Sequence, residues 1–264
     1  MPRHRDREHL RTTFGSVAEQ YDRARPSYPA AVFDDLAELA GLAPGARVVE
    51  VGPGTGKATV ELLRRGYAVT GVELSPVLAE VARRNAPGAE IVVTEFEHWE
   101  PETAGFDAIV ATAAYHWIDP EHRYSKPRAL LEPGVALAVV HGRHVLPAGG
   151  DPVWAEVQED YDAVVPHPDN GPPPPPEEIE DEWGDEFRAS GVFESVEERR
   201  HLQPLVYTAD EYVDVLGTFS DNLALPAEQR DELFRRIHGR IGARPGGTAT
   251  KHYLLTLTVG RLPT

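Results

Sequence analysis

An α/β fold built on a mostly parallel sheet is what this sequence predicts, on three observations. Short β-branched apolar runs alternate with helical patterns, a glycine-rich turn follows the first such run, and an acidic residue closes the second. Strands separated by short helices form βαβ units, and their crossovers make neighbouring strands parallel.

Helical spacing is clear over residues 30–40, where Val32, Phe33, Leu36 and Leu39 share one face and Gly41 supplies the stop. Arg47 to Val51 reads as a strand, Lys57 to Arg65 as a helix ending at Gly66, and Ala68 to Glu73 as a second strand. Pro76 to Arg84 is a second crossover helix with proline in its first turn. Ile91 to Val93, Asp107 to Ala111 and Val135 to Val140 give three more strands, with a helix expected over 119–131 although Pro127 interrupts it. Two late strands, 196–207 and 252–261, enclose helices near 209–216 and 226–241.

The rhythm breaks over residues 142–184. Five consecutive prolines, Pro172 to Pro176, precede seven acidic residues among positions 177–186. Two readings stand: a polyproline spacer leading into a helix whose N-terminus favours acids, or a lid over a site, since long insertions in compact domains are often functional. The expected organisation is an N-terminal covering segment (1–29), a main domain (30–141 and 185–264) and this insertion, a possible substrate lid.

Composition narrows the function. Forty-three acidic residues against 26 basic give a formal charge of −17, which repels phosphate backbones and anionic lipid, so neither nucleic acid nor membrane is an expected partner. No cysteine is present, so thiolate chemistry and disulfides are out, and a cytoplasmic location is expected. No apolar run approaches the roughly 20 residues of a membrane span, and the charged first residues are no secretory signal. Self-association into a homo-oligomer stays open.

The most informative stretch is Val48-Val49-Glu50-Val51-Gly52-Pro53-Gly54-Thr55-Gly56. Glycines let the backbone take positive φ and approach a ligand, and the helix start behind them offers free N–H groups. A phosphate-binding P-loop fails, because Ala58 follows Gly56-Lys57 and Val51 occupies the first glycine position. A dinucleotide fingerprint mostly fails, because Lys57 stands at its third glycine. What remains is acid-x-G-x-G-x-G, met by Glu50, Gly52, Gly54 and Gly56. Glu73, followed by Leu74, ends the neighbouring strand at the same crevice, where a carboxylate about 20 residues after the loop can accept both hydroxyls of a ribose.

These residues resemble the class I S-adenosylmethionine-dependent methyltransferases, especially the small-molecule branch related to trans-aconitate methyltransferase. The loop at 50–56 is similar to that family's first motif. Phe14-Gly15, Ala18, Tyr21 to Pro26, Tyr28 and Pro29 are similar to its N-terminal signature. Phe106 to Val110 through His116-Trp117 resembles the fourth motif, and Leu130 to Gly134 the fifth. The resemblance implies a three-layer, Rossmann-like, seven-stranded sheet ending in an antiparallel hairpin, S-adenosylmethionine as cofactor, and methyl transfer to a small organic molecule. It also implies Glu95 and Phe96 at the adenine, Ala111 by the methionine moiety, and Tyr21 and Arg25 folding across the cofactor, with Arg25 facing its carboxylate. Alternatives of the same fold are a catalytically silent or regulatory binding protein and a cofactor-bound isomerase or cyclase.

His116 is the candidate general base, because imidazole titrates near neutrality and follows the fourth strand. His141 and His144 flank the end of the fifth strand, but with no carboxylate cluster beside them no catalytic metal is expected.

Overall fold

The computed structural model describes residues 18–103, 105–166 and 171–264. Phe14 and Gly15 of the N-terminal pattern lie outside the described residues. Helices α1 (Ala18–Ala24) and α2 (Ala30–Ala40) lead into β1 (Arg47–Val51), α3 (Lys57–Arg64), β2 (Ala68–Glu73), α4 (Pro76–Asn85), β3 (Glu90–Val93) and β4 (Phe106–Thr112). Next come α5 (Ser125–Leu130), β5 (Leu131–Val145), α6 (Val153–Val164), α7 (Glu182–Ser190), β6 (Ser195–Thr208), α8 (Ala209–Leu216), α9 (Ser220–Leu223), α10 (Ala227–Gly242) and β7 (Thr248–Arg261).

One seven-stranded sheet runs in the order β3-β2-β1-β4-β5-β7-β6. β1 to β5 pair in parallel, while β7 is antiparallel to both β5 and β6. This is the expected Rossmann-like sheet with its terminal hairpin. The strand order reverses at β1 and β4, and in such sheets the crevice there receives the ligand.

Both faces are covered, which is why the central strands are apolar on both sides. Val48, Val69, Ala108 and Ala138 pack against Phe33 and Leu36 of α2 and Leu62 of α3. Val49, Val51, Ile109 and Leu137 pack on the other face against Trp183 and Phe187 of α7. A third cluster joins Val153, Trp154 and Val157 of α6 to α8 and α10 through Tyr212, Leu216, Leu233 and Ile237.

Two expectations need correction. The helix over 119–131 shrinks to Ser125–Leu130, and Leu131 already belongs to β5. Proline lacks an N–H and is tolerated only in a first turn, so Pro127 sets how early that helix can start. The insertion is also less irregular than expected. β7 is long enough to pair with β5 as far as Val145, opposite His252, so its first residues are strand, and α6 follows. The prolines do form an extended stretch: Pro175 has φ −66° and ψ 150°, and the Pro174 carbonyl accepts from the Leu146 N–H at 2.9 Å. Acids then fill the first turn of α7.

α6 is fastened to α10 by Arg240, whose Nε and Nη2 donate to the two Asp160 oxygens at 2.7 and 3.0 Å. Asp160 is buried. Arg240→Ala strands that carboxylate, and we expect a loss of about 2–4 kcal/mol in urea unfolding at neutral pH.

Candidate active site

A cavity opens at the carboxyl ends of β1, β2 and β4, walled by the glycine loop, the β2 end and the segment from Tyr21 to Tyr28. The loop needs its glycines. Gly52 and Gly54 have φ of 65° and 60°, in the left-handed region that favours glycine. A Cβ on Gly52 would lie 2.7 Å from the Ala114 Cβ. Ala113 beside it takes φ 53° without being glycine, a strained turn of the kind that collects at functional sites.

Glu73 ties this region together. Its Oε2 accepts from the Gly54 N–H and its Oε1 from the Ser75 N–H, both at 2.9 Å. These two backbone donors hold the carboxylate between β1 and β2 at the edge of the cavity. Next to it, Thr55 borders the cavity with a buried Oγ1 that has no hydrogen-bond partner among the described residues. A buried orphan hydroxyl on a loop built for close approach is what a polar ligand completes.

Glu50 sits one layer deeper. It is fully buried, its Oε2 accepts from Thr59 Oγ1 at 2.6 Å, and its Oε1 has no partner. Burial pushes its carboxyl up to about 7, the Thr59 hydrogen bond opposes the rise, and the Glu73 charge adds to it.

The structure brings most of the expected residues to one cavity and leaves others off it. Tyr21, Arg25, Gly52, Gly54, Glu73, Leu74 and Phe96 border it. Gly56 does not; it starts α3 in a left-handed conformation. Ala111 is buried in the apolar layer with Val51 and Val72, and Thr112, Ala113 and Ala114 reach the cavity in its place. Glu95 pairs with His98 Nδ1 at 2.9 Å, and Thr94 is the neighbour on the wall. The His116 ring packs on Trp117 (centroids 4.6 Å apart) and lies edge-on to His141 (6.4 Å), while Trp117 and Ile118 border the cavity. Of residues 142–184, Gly142 alone among the described ones borders it.

Sequence reasoning missed Tyr28, Lys57, Gln203 and Tyr253 as wall residues. Tyr28 and Lys57 lie inside motifs already singled out, a signal that was available. Gln203 and Tyr253 face each other across β6 and β7 and reach the cavity through tertiary pairing that no local pattern announces.

Sheet order, the glycine loop after β1 and the acid that closes β2 together form a Rossmann-like ligand crevice. Residues 48–134 match the family model described as a methyltransferase domain. An uncharacterised methyltransferase of Mycobacterium tuberculosis is 33% identical over 134 residues, 51% of this chain and 54% of the relative. A trans-aconitate 2-methyltransferase of Rhodopseudomonas palustris is 36% identical over 131 residues, 46% of this chain and 48% of the relative. The chain thus spans about half the length of these curated relatives. Among solved structures, a protein of Anaeromyxobacter dehalogenans provisionally assigned as a type II methyltransferase superposes with a TM-score of 0.66 at 23% identity, covering 91% of this chain and 99% of that one. An S-adenosylmethionine-dependent methyltransferase from Geobacter sulfurreducens in complex with S-adenosyl-L-homocysteine gives 0.54 at 13% identity, covering 95% and 98%. At these identities the structural matches speak for the fold.

Glu50 carries a pH signature. Its folded pKa lies above the unfolded one, so the native state holds the extra proton and stability falls as pH rises from about 4.5 to about 7. Glu50→Gln should flatten that part of the profile in urea midpoints measured across the range. Gly52→Ala should cost about 1–3 kcal/mol in the same assay, from strain at its φ and the clash with Ala114.

Proposed function

We propose that this chain is an S-adenosylmethionine-dependent methyltransferase acting on a small organic molecule. The observation that carries the reading is Glu73 anchored to the Gly54 N–H beside the orphan Thr55 hydroxyl. When bound, this cofactor supplies an electrophilic methyl group on a sulfonium. The chain's own residues then have separable tasks. Glu73 accepts the two ribose hydroxyls. Leu74, Leu78 and Phe96 enclose the adenine, with Thr94 at its polar edge. The backbone at Gly52 to Gly54 lets the methionine part lie close, with Tyr21 and Lys57 bordering that end.

The acceptor's place is the opposite end, between Trp117, Gly142, Gln203 and Tyr253. Placing an acceptor in line with the methyl group is the main task left to the protein. A cytoplasmic setting fits a chain without cysteine, and among the described residues no helix is long and apolar enough to cross a membrane.

Calorimetry with S-adenosylmethionine, S-adenosylhomocysteine and a nicotinamide dinucleotide tests this. Heat is expected with the first two and none with the third; dinucleotide binding without adenosylmethionine binding would end the proposal. Glu73→Gln should weaken S-adenosylhomocysteine binding by about 1.5–3 kcal/mol, the worth of charge-assisted hydrogen bonds. Because the His116 ring packs outside the cavity, His116→Ala should lower turnover less than about tenfold. A loss of about 10²–10⁴ together with a missing limb in the pH–rate profile would restore it as general base.

A further inference from the structure

At the acceptor end the sheet presents one row of side chains to the cavity. Strand residues alternate between faces, so Lys251, Tyr253 and Leu255 of β7 share a face with their partners Leu205, Gln203 and His201 on β6 and with His144 and Gly142 on β5. Tyr253, Leu255, Gln203 and Gly142 border the cavity, and Lys251 is the next residue along, behind Tyr253.

Lys251 is buried, at 3% exposure. Its ammonium donates to Tyr212 Oη at 2.8 Å and lies over the rings of Tyr212, Tyr253, Trp154 and Phe219 at 4.8, 5.0, 5.3 and 5.8 Å from their centroids. Arg25, on the cavity wall, sits 4.0 Å over the other side of this cluster on the Phe219 ring, its Nε and Nη2 donating to Thr218 Oγ1 and O at 2.7 and 3.1 Å. Arg25 therefore leans toward α8 and Lys251. Among the described residues neither cation has a carboxylate partner. The groups facing Lys251 are Tyr212 from α8, Trp154 from α6, His144 from β5, Tyr253 on its own strand, and Phe219 and Arg25. His144 is held well below its usual range by burial and by the Lys251 and His252 charges. The buried Lys251 and the half-buried Arg25, without an acid among the described residues in a chain of charge −17, lack the counter-charge that cations withdrawn from water require.

Resting on the methyltransferase reading, we propose that the methyl acceptor is a planar aromatic monoanion, its carboxylate-type group received at the Tyr253 end by Arg25 directly and by Lys251 from behind the ring. The walls favour a flat body: Tyr28, Trp117 and Tyr253 present rings, and Gly142 adds no side chain between them. They also favour a single charge. Among the described residues the other cation on the wall, Lys57, stands by the glycine loop and feels Asp22, so no further described cation at the acceptor end matches a second or third carboxylate.

A proton balance follows. Burial, then repulsion from Arg25, lowers the Lys251 amine to about 7. An anion seated nearby favours the charged form, so binding takes up a fraction of a proton near pH 7.5, and affinity falls as pH rises above 7.

The test is calorimetry on the full chain saturated with S-adenosylhomocysteine, titrated at pH 7.5 with benzoate, 4-hydroxybenzoate and cinnamate, their amides, and trans-aconitate, in buffers of different ionisation heat. At least one acid should bind tenfold or more tighter than its amide, with proton uptake. Lys251→Met should abolish that uptake and weaken the acid at least fivefold, while leaving S-adenosylhomocysteine and amide affinities unchanged, which also reports that the variant is folded. Amides binding as well as every acid, uptake persisting in Lys251→Met, or the tricarboxylate binding tighter than all the aromatic acids overturns the inference. Failure of S-adenosylhomocysteine itself to bind overturns the methyltransferase reading, a separable result.

Discussion

The hydrogen bond from the Gly54 N–H to the Glu73 carboxylate is the contact on which the site depends. It joins the turn after β1 to the end of β2, so the loop's shape and the acid's direction are set together. Parallel pairing of β1 with β2 brings Val51 opposite Val72, and this register is what carries Glu73 to the loop. The Gly52 N–H then donates to the Val72 carbonyl at 2.9 Å, closing the same corner from the other side. A polar ligand meets an acceptor already fixed by two donors, and little ordering remains to be done on binding.

Around that corner the charges are arranged against the average. The chain is strongly acidic, yet buried acids near the crevice are few and each is held: Glu73 by backbone N–H groups, Glu50 by Thr59. At the far end the buried Lys251 and the half-buried Arg25 sit among aromatic rings. The insertion contributes there indirectly. α6 supplies Trp154, whose indole N–H donates to the Thr250 carbonyl at 2.6 Å, and so backs the strand that carries Lys251 and Tyr253. Among the insertion's described residues Gly142 alone borders the cavity, and α6 buttresses the strand behind it.

Much of this was legible in the sequence, and the limits have physical causes. The parallel strands, the glycine loop and Glu73 were readable because each depends on local chemistry: β-branched runs, positive φ, an acid at a strand end. Phe96 was implied by the family resemblance, and Leu74 by standing next to Glu73. Ala111 fell short by one residue: it points into the apolar layer, and Thr112, the next and last residue of β4, borders the cavity, because successive strand residues face opposite sides. His116 sits beside Trp117 in a single turn, and sequence cannot say which of two adjacent rings a tight turn delivers to the cavity. Gln203, Tyr253 and Lys251 stayed hidden because only the antiparallel pairing of β5, β7 and β6, distant in sequence, brings them to the site.

The central claim is that the Glu73–Gly54 corner receives the ribose of an adenosyl cofactor. The most direct measurement is a crystal structure of the protein with S-adenosylhomocysteine. The account predicts both ribose hydroxyls on the Glu73 carboxylate, the adenine against Phe96 and the sulfur aimed toward Trp117 and Tyr253. Ribose hydroxyls bound elsewhere, with Glu73 keeping only its backbone donors, would contradict it.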